Sequence, residues 1–354
     1  MEELEQAYFI GTRRGIGVKT WQRLMREFGS FEGVYQAAKG DLKKSGIVSE
    51  PLAEELTDSL AREQSHRDWE TLQKKGIRYC TMFHEEYPER LRSIFDPPKH
   101  LFRLGKPVPS KNCSVAIVGA RDCTAYGRDM ARLFAYRLSM AGIRVISGMA
   151  RGIDGWAHQG ALEAGKDTYA VLGSGVDVCY PSEHRRLYES IAKSGGILSE
   201  FVPGTRARPQ FFPLRNRIIS ALSDGLLVVE AKQRSGSLIT ADLALEQGKD
   251  VFVIPGRIGD PLSEGCNRLI RQGAMPVLSP EDILEYYEIS TYNIEEIRTP
   301  KQQLVLDRIG ESPVSLRELD SQLDLSMTEI LKQILVLKEN NHIREVARDC
   351  YIRK

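Results

Sequence analysis

Val115-Ala-Ile-Val-Gly119-Ala-Arg121 opens the part of the chain that decides the fold: an apolar, mostly β-branched run that ends in glycine where a helix is due to start. The same figure recurs downstream. Residues 144–146 run into Ser147-Gly148-Met149-Ala150-Arg151-Gly152-Ile153-Asp154, and residues 169–172 into Gly173-Ser174-Gly175. Residues 226–229 precede Ser235-Gly236-Ser237-Leu238-Ile239-Thr240, while 197–199 and 251–254 complete the set of apolar runs. Strand-length runs separated by helix-length segments predict an α/β fold, an extended Rossmann-like, mostly parallel sheet covered on both faces, with ligands at the carboxyl ends of its strands.

On either side of this core the pattern changes. Residues 1–66 read as short helices, with Trp21, Leu24, Met25 and Phe28 on one helical face. Gly15-Ile16-Gly17 and Ser45-Gly46-Ile47-Val48 each precede a helix, a helix-hairpin-helix-like figure in which backbone N–H groups can meet a phosphate. The second copy lacks the second glycine, so DNA contact and a structural or partner-binding role both stay open there. Prolines at 97, 98, 107 and 109 mark the entry into the sheet domain, placed at residues 67–288. After a polar linker at 289–299, residues 300–354 read as helix-helix-helix-hairpin, the winged-helix order, with capping boxes at Ser315-x-x-Glu318 and Ser326-x-x-Glu329. Nine basic and nine acidic residues in that last segment favour protein contact over DNA reading.

The chain has 354 residues, room for two or three domains at about 150 residues each. Its 49 Lys+Arg against 48 Asp+Glu exclude a histone-like blanket of charge, so any anion site is local. Six scattered cysteines without a Cys-x-x-Cys pair read as reduced thiols, with no metal site. The acidic N-terminus reads as no signal peptide, and no run reaches the roughly 18 apolar residues of a membrane span. A cytoplasmic protein is expected.

Small residues at strand ends let backbone N–H groups and helix N-termini approach a phosphate closely. Four such loops on one crest, two of them with an arginine, predict an anion groove lined by Gly119, Ala120, Arg121, Gly148, Arg151, Gly152, Gly173, Gly175, Ser235, Gly236 and Ser237. The strongest basic cluster adds Phe211, Phe212, Arg215, Asn216 and Arg217: between Glu200 and Ser220 stand four arginines and one acid. Arginine forks match phosphates, and interleaved rings offer stacking faces for bases. Each phenylalanine reads equally as core, and one of Arg215 and Arg217 as a structural ion pair with Glu230 or Asp224. A dinucleotide-dehydrogenase reading fails because the first strand ends in Gly119-Ala-Arg-Asp-Cys-Thr, not Gly-x-Gly-x-x-Gly. No Walker motif occurs, Ser235-Gly-Ser237 is no hydrolase elbow, and His158 has no nucleophile partner in the sequence.

These loops, with Phe212-Pro-x-Arg215-Asn-Arg217-Ile-Ile-Ser220 and Val253-Ile-Pro255-Gly256, resemble the DprA/Smf family of bacterial DNA-processing proteins over residues 68–274. The resemblance implies a binding protein without catalysis or cofactor. Its partners would be single-stranded DNA, the RecA recombinase that it loads during natural transformation and recombination, and single-strand-binding protein. Gly119-Ala120-Arg121 would lie in the family's basic pocket, with alanine where many members carry serine. A SAM-like helical module and a winged-helix domain would flank the sheet. A homodimer would form at the far end of the sheet, with Leu269, Ile270, Leu278 and Ile283 as the apolar contact. The fold is also similar to that of the nucleotide phosphoribohydrolases, an enzymatic alternative whose Pro-Gly-Gly-x-Gly-Thr-x-x-Glu signature is absent here.

Overall fold

Successive residues of a strand point to opposite faces, so Val115 and Ile117 feed one apolar layer and Ala116 and Val118 the other. The computed structural model describes residues 2–289, 300–310, 312–339, 342–347 and 349–353. Two units divide the chain, Met1–Thr291 and Tyr292–Lys354. The linker expected at 289–299 lies, apart from its first residue, outside the described residues.

The first unit holds a nine-stranded sheet. Its strands are β1 (Arg78–Thr81), β2 (His100–Gly105), β3 (Ser114–Val118), β4 (Arg144–Ser147), β5 (Thr168–Val171), β6 (Gly196–Ser199), β7 (Gly225–Val228), β8 (Asp250–Val253) and β9 (Met275–Pro276). They lie in the order β1-β2-β6-β5-β4-β3-β7-β8-β9, parallel from β6 to β9, with β1 and β2 antiparallel at one edge. All six sequence-predicted strands are present. The antiparallel pair and the short β9 were hidden: β1 and β2 are four and six residues long in a proline-broken stretch, and β9 is only two.

Six helices precede the sheet: α1 (Glu3–Gly11), α2 (Val18–Phe28), α3 (Phe31–Gln36), α4 (Lys39–Lys44), α5 (Glu50–Thr57) and α6 (Ser59–Lys74). The boundary expected at residue 66 falls inside α6, which is capped by the Asp58 carboxylate and runs on to Lys74 because Trp69 and Leu72 are buried. This helical region shares a core with the sheet. The Tyr8 ring stands 5.5 Å from Tyr79 and 6.2 Å from Phe102, edge to face in both cases.

After α7 (Glu89–Arg92), helices α8 (Ala125–Met140) and α9 (Ile153–Glu163) cover one face, joined there by Ile283 and Leu284. Beyond α10 (Arg185–Ser194), helices α11 (Phe211–Leu222), α12 (Gly236–Glu246) and α13 (Glu264–Arg271) cover the other, with Ile218, Ile219, Leu238 and Leu269 inward. The dimer expectation is corrected at two positions. Leu269 on α13 and Ile283 on α14 (Pro280–Tyr286) are core residues at 2% and 0% exposure, because each faces the sheet from its own helix. Ile270 is half-buried against the core, and only Leu278 is well exposed.

The second unit follows the winged-helix order: α15 (Pro300–Arg308), β10 (Val314–Ser315), α16 (Leu316–Gln322), α17 (Met327–Glu339), β11 (Ile343–Ala347) and β12 (Cys350–Arg353). Its three strands form an antiparallel sheet in the order β10-β12-β11. Both capping boxes form, the Ser315 N–H donating to the Glu318 carboxylate at 2.7 Å and the Ser326 N–H to that of Glu329 at 3.2 Å. Among the described residues, no helix is long and apolar enough to cross a membrane, and no group of three or more His, Cys, Asp or Glu could hold a metal ion.

Two buried histidines couple the stability of this fold to pH. His158 donates from Nδ1 to Thr168 Oγ1 at 2.8 Å, since that hydroxyl spends its own proton on Val145 O, and its Nε2 has no partner. Burial pushes His158 and His100 down to about 3. The unfolded chain takes up these protons near pH 6.5 and the folded chain only near 3, so stability is full above about pH 6.5 and falls as the pH drops toward 3. Urea unfolding at pH 7, 6 and 5 should show it, each histidine contributing up to about 1.4 kcal/mol per pH unit. His158→Gln should shallow the slope by about one proton; a native chain equally stable at pH 7 and 5 would contradict the assignment.

Candidate nucleic-acid interface

Strand order reverses at β3, which has β4 on one side and β7 on the other, and loops at such a switch point splay apart to leave a crevice. A cavity of about 470 Å³ occupies it, lined by Gly119 and Arg121 after β3, Asp154 on α9, Phe212, Arg215 and Asn216 on α11, and Arg234 to Ser237 before and on α12. That volume lies in the roughly 300–1,000 Å³ range of small-ligand sites.

Arg215 is its floor. The side chain is 4% exposed, and its guanidinium donates to Gly148 O at 2.6 Å, to Val171 O and to Asn216 Oδ1 at 3.1 Å. Burial lowers it to about 10, so it stays charged at neutral pH. Burial likewise raises the Asp154 carboxyl above its ordinary value, opposed by the field of Arg215, while Asp154 accepts the Gly148 N–H at 3.2 Å. Gly148 therefore serves the arginine: a Cβ there would stand 2.5 Å from the guanidinium. At φ +72° Gly152 turns the chain into α9 against Ala120 O, a conformation that suits glycine.

Above the floor, Phe212 is ringed by cations and another ring. Arg121 sits 5.1 Å from its centroid, Arg215 at 5.9 Å and Tyr180 at 5.7 Å. Arg121 itself is exposed. Behind Arg121 and Phe212 a second cavity of about 420 Å³ takes in Gly148, Arg151, Gly173 and Tyr180. At the mouth of the first, Ser235 Oγ accepts the Ser237 N–H at 3.3 Å and meets Ser237 Oγ at 2.7 Å, and Gly236 keeps the start of α12 open.

Other expected lining residues point elsewhere. Arg217 is clamped by Glu200 at 2.6 and 2.7 Å and by Asp96 at 3.3 Å, so it is the structural ion pair, though with neither Glu230 nor Asp224. Glu230 instead accepts the Thr124 N–H at 2.9 Å, and Asp224 pairs with Arg90 at 2.8 Å. Phe211 stacks on Phe201 at 4.3 Å and lines neither cavity. The Gly175 N–H is spent on Thr205 O at 2.9 Å and Ala120 is buried, while Arg151 keeps its place at the second cavity but is paired there with Glu183. Helical phase separates these residues: in α11, positions 212, 215, 216 and 219 share the cavity side, whereas Arg217 is turned about 200° from Arg215. Tyr180, Arg208 and Arg234 line the first cavity without having been predicted; Arg208 is one of the four arginines between Glu200 and Ser220, but nothing in the sequence singles out Tyr180.

Residues 78–288 match the family model described as DNA recombination-mediator protein A. The chain belongs to that family. It is 39% identical to Protein Smf of Escherichia coli over 290 residues, 76% of this chain and 78% of the relative. Among solved structures it resembles DNA processing protein A from Streptococcus pneumoniae, with a TM-score of 0.65 and 34% identity over 80% of this chain and 95% of that one. It also resembles DNA processing protein A from Helicobacter pylori, whose structure reports a single-stranded DNA binding mode of that protein. There the TM-score is 0.55 and the identity 30%, over 60% of this chain and 96% of that one.

Arg215 and Arg121 should separate in a stability assay. Arg215→Ala leaves Asp154 buried without its counter-charge and should cost about 3–5 kcal/mol in urea unfolding. Exposed Arg121→Ala should stay within about 0.5 kcal/mol of the native chain. Equal stability of the two variants would remove Arg215 from the floor.

Proposed function

We propose that this chain binds single-stranded DNA across the carboxyl-end groove and hands it to the RecA recombinase during natural transformation and recombination, with no catalytic step. The observation that carries the reading is the Phe212 ring set among Arg121, Arg215 and Tyr180 at the mouth of a cavity whose rim adds Arg208 and Arg234. Exposed arginines neutralise successive phosphates, and an accessible ring accepts any base on its face. Duplex DNA hides those faces, so the groove favours a single strand. The likeness to the Helicobacter pylori protein supports the same ligand.

In this reading Arg121, Arg208 and Arg234 meet phosphates, Phe212 and Tyr180 take a base, and Arg215 holds the floor in place. Gly119, Gly236, Ser235 and Ser237 shape the rim. Arg217, Phe211 and Gly175 support it from behind. The chain acts in the cytoplasm as a homodimer whose apolar contact includes Leu278, and it works beside single-strand-binding protein.

Anisotropy titration of a labelled oligothymidylate tests this. Three phosphate contacts imply a slope of log affinity against log salt of about −2, at roughly −0.7 per contact. Phe212→Ala should weaken binding about tenfold, within the range of a lost base stack, and Arg121→Ala should weaken it far more than Arg344→Ala in the charge-balanced second unit. A flat salt response, or release of free base from a nucleoside monophosphate, would favour a small-nucleotide site.

A further inference from the structure

The N-terminal helices contain one small unit twice. Helix α1, a hairpin and α2 form the first copy; α4, a hairpin and α5 form the second. In each, a glycine at positive φ, Gly15 at +91° and Gly46 at +63°, is followed by an isoleucine turned into the core, Ile16 or Ile47. The following helix then turns matching residues 31 positions apart toward the core, Trp21 with Leu52 and the half-buried Met25 with Leu56.

The outward positions differ in sign. Where the first copy has Lys19 and Arg23, the second has Glu50 and Glu54. Those two acids pair with Lys43 and Lys39 of α4, so the second copy neutralises itself. In the first copy Arg13 is tied to Glu55 at 3.1 Å, whereas Arg14, Lys19, Arg23 and Arg26 stand exposed without a carboxylate partner among the described residues. Lys19, Arg23 and Arg26 follow the i, i+4, i+7 spacing and form one line about 10 Å long on α2, at 1.5 Å per residue. Glu27, next to that line, is the acid on the same helix.

Position ties this line to the groove. The Lys99 ammonium donates to Ile16 O, and Lys99 directly precedes β2, which runs antiparallel to β6. The first hairpin therefore lies at the end of the sheet where the parallel strands finish and the groove opens. Its chemistry is different. The exposed side chains of α2 include no aromatic ring, Trp21 being fully buried, so this surface can neutralise phosphates but cannot stack bases. A backbone with fixed phosphate spacing and hidden bases fits it best.

We propose that Arg14, Lys19, Arg23 and Arg26 form a second DNA contact, one that grips the phosphate backbone of duplex DNA adjoining a single strand. The native full-length chain, Lys19→Glu/Arg23→Glu, which installs the acids of the second copy, and Arg121→Ala are titrated with three probes. These are a duplex of about 20 base pairs, an oligothymidylate, and the same duplex with a single-stranded tail, each over a salt series; circular dichroism confirms that the variants fold. The double variant should lose about tenfold or more on both duplex-containing probes, with a salt slope on the plain duplex shallower by about 2, at roughly 0.9 per contact. Its affinity for oligothymidylate should stay within about twofold, whereas Arg121→Ala should lose affinity for oligothymidylate and for the tailed duplex and hold the plain duplex within about twofold. Absence of duplex binding by the native chain, unchanged duplex binding by the double variant, or an equal loss on oligothymidylate would each overturn the proposal.

Discussion

A buried guanidinium holds the groove together. Arg215 reaches from α11 to the ends of β4 and β5 through Gly148 O and Val171 O, and through Asn216, which donates to Gly236 O at 3.3 Å, it is linked to the start of α12. Three crossover connections thus converge on one cation. Burying a charge is tolerable only when its hydrogen bonds are met and an opposite charge is near, and here carbonyl oxygens and Asp154 supply both. What remains is a guanidinium fixed beside its carboxylate at the floor, which leaves the uncompensated positive charge of the groove to the exposed Arg121, Arg208 and Arg234 at its rim.

The fold puts that floor where it can act. Because the chain lays β4, β5 and β6 to one side of β3 and β7, β8 and β9 to the other, the loops after β3 and β7 diverge and the crevice opens between them. Glu230, just beyond β7, then pins the opposing loop through Thr124, fixing the rim on which Arg121 stands. Rigid elements carry the floor, and exposed loop side chains carry the contacts. The division suits a ligand that must be held firmly yet read without regard to sequence.

Six of the seven parallel strands were legible because each is a short apolar run between helix-length segments, the two-residue β9 escaping for want of length, and the capped helices of the second unit because Ser315 and Ser326 stand three residues before a glutamate. The antiparallel edge was not, since β1 and β2 take their apolar surface from contacts with α1 that are distant in sequence. Arginine count located the groove but could not say which arginine was free. Arg215 and Arg217 sit two residues apart in one basic string, and only the phase of α11 assigns one to the floor and the other to Glu200. The same holds for Leu269 and Ile283, apolar residues whose helices turn them into the core, away from any partner.

The most direct measurement is photocrosslinking of the full chain to a single-stranded oligonucleotide carrying 5-iodouracil, with the adducts mapped by mass spectrometry. Stacking on the groove rings predicts adducts at Phe212 or Tyr180. Adducts confined to the N-terminal helices or to residues 300–353 would contradict a single-strand site at the carboxyl ends of β3 and β7.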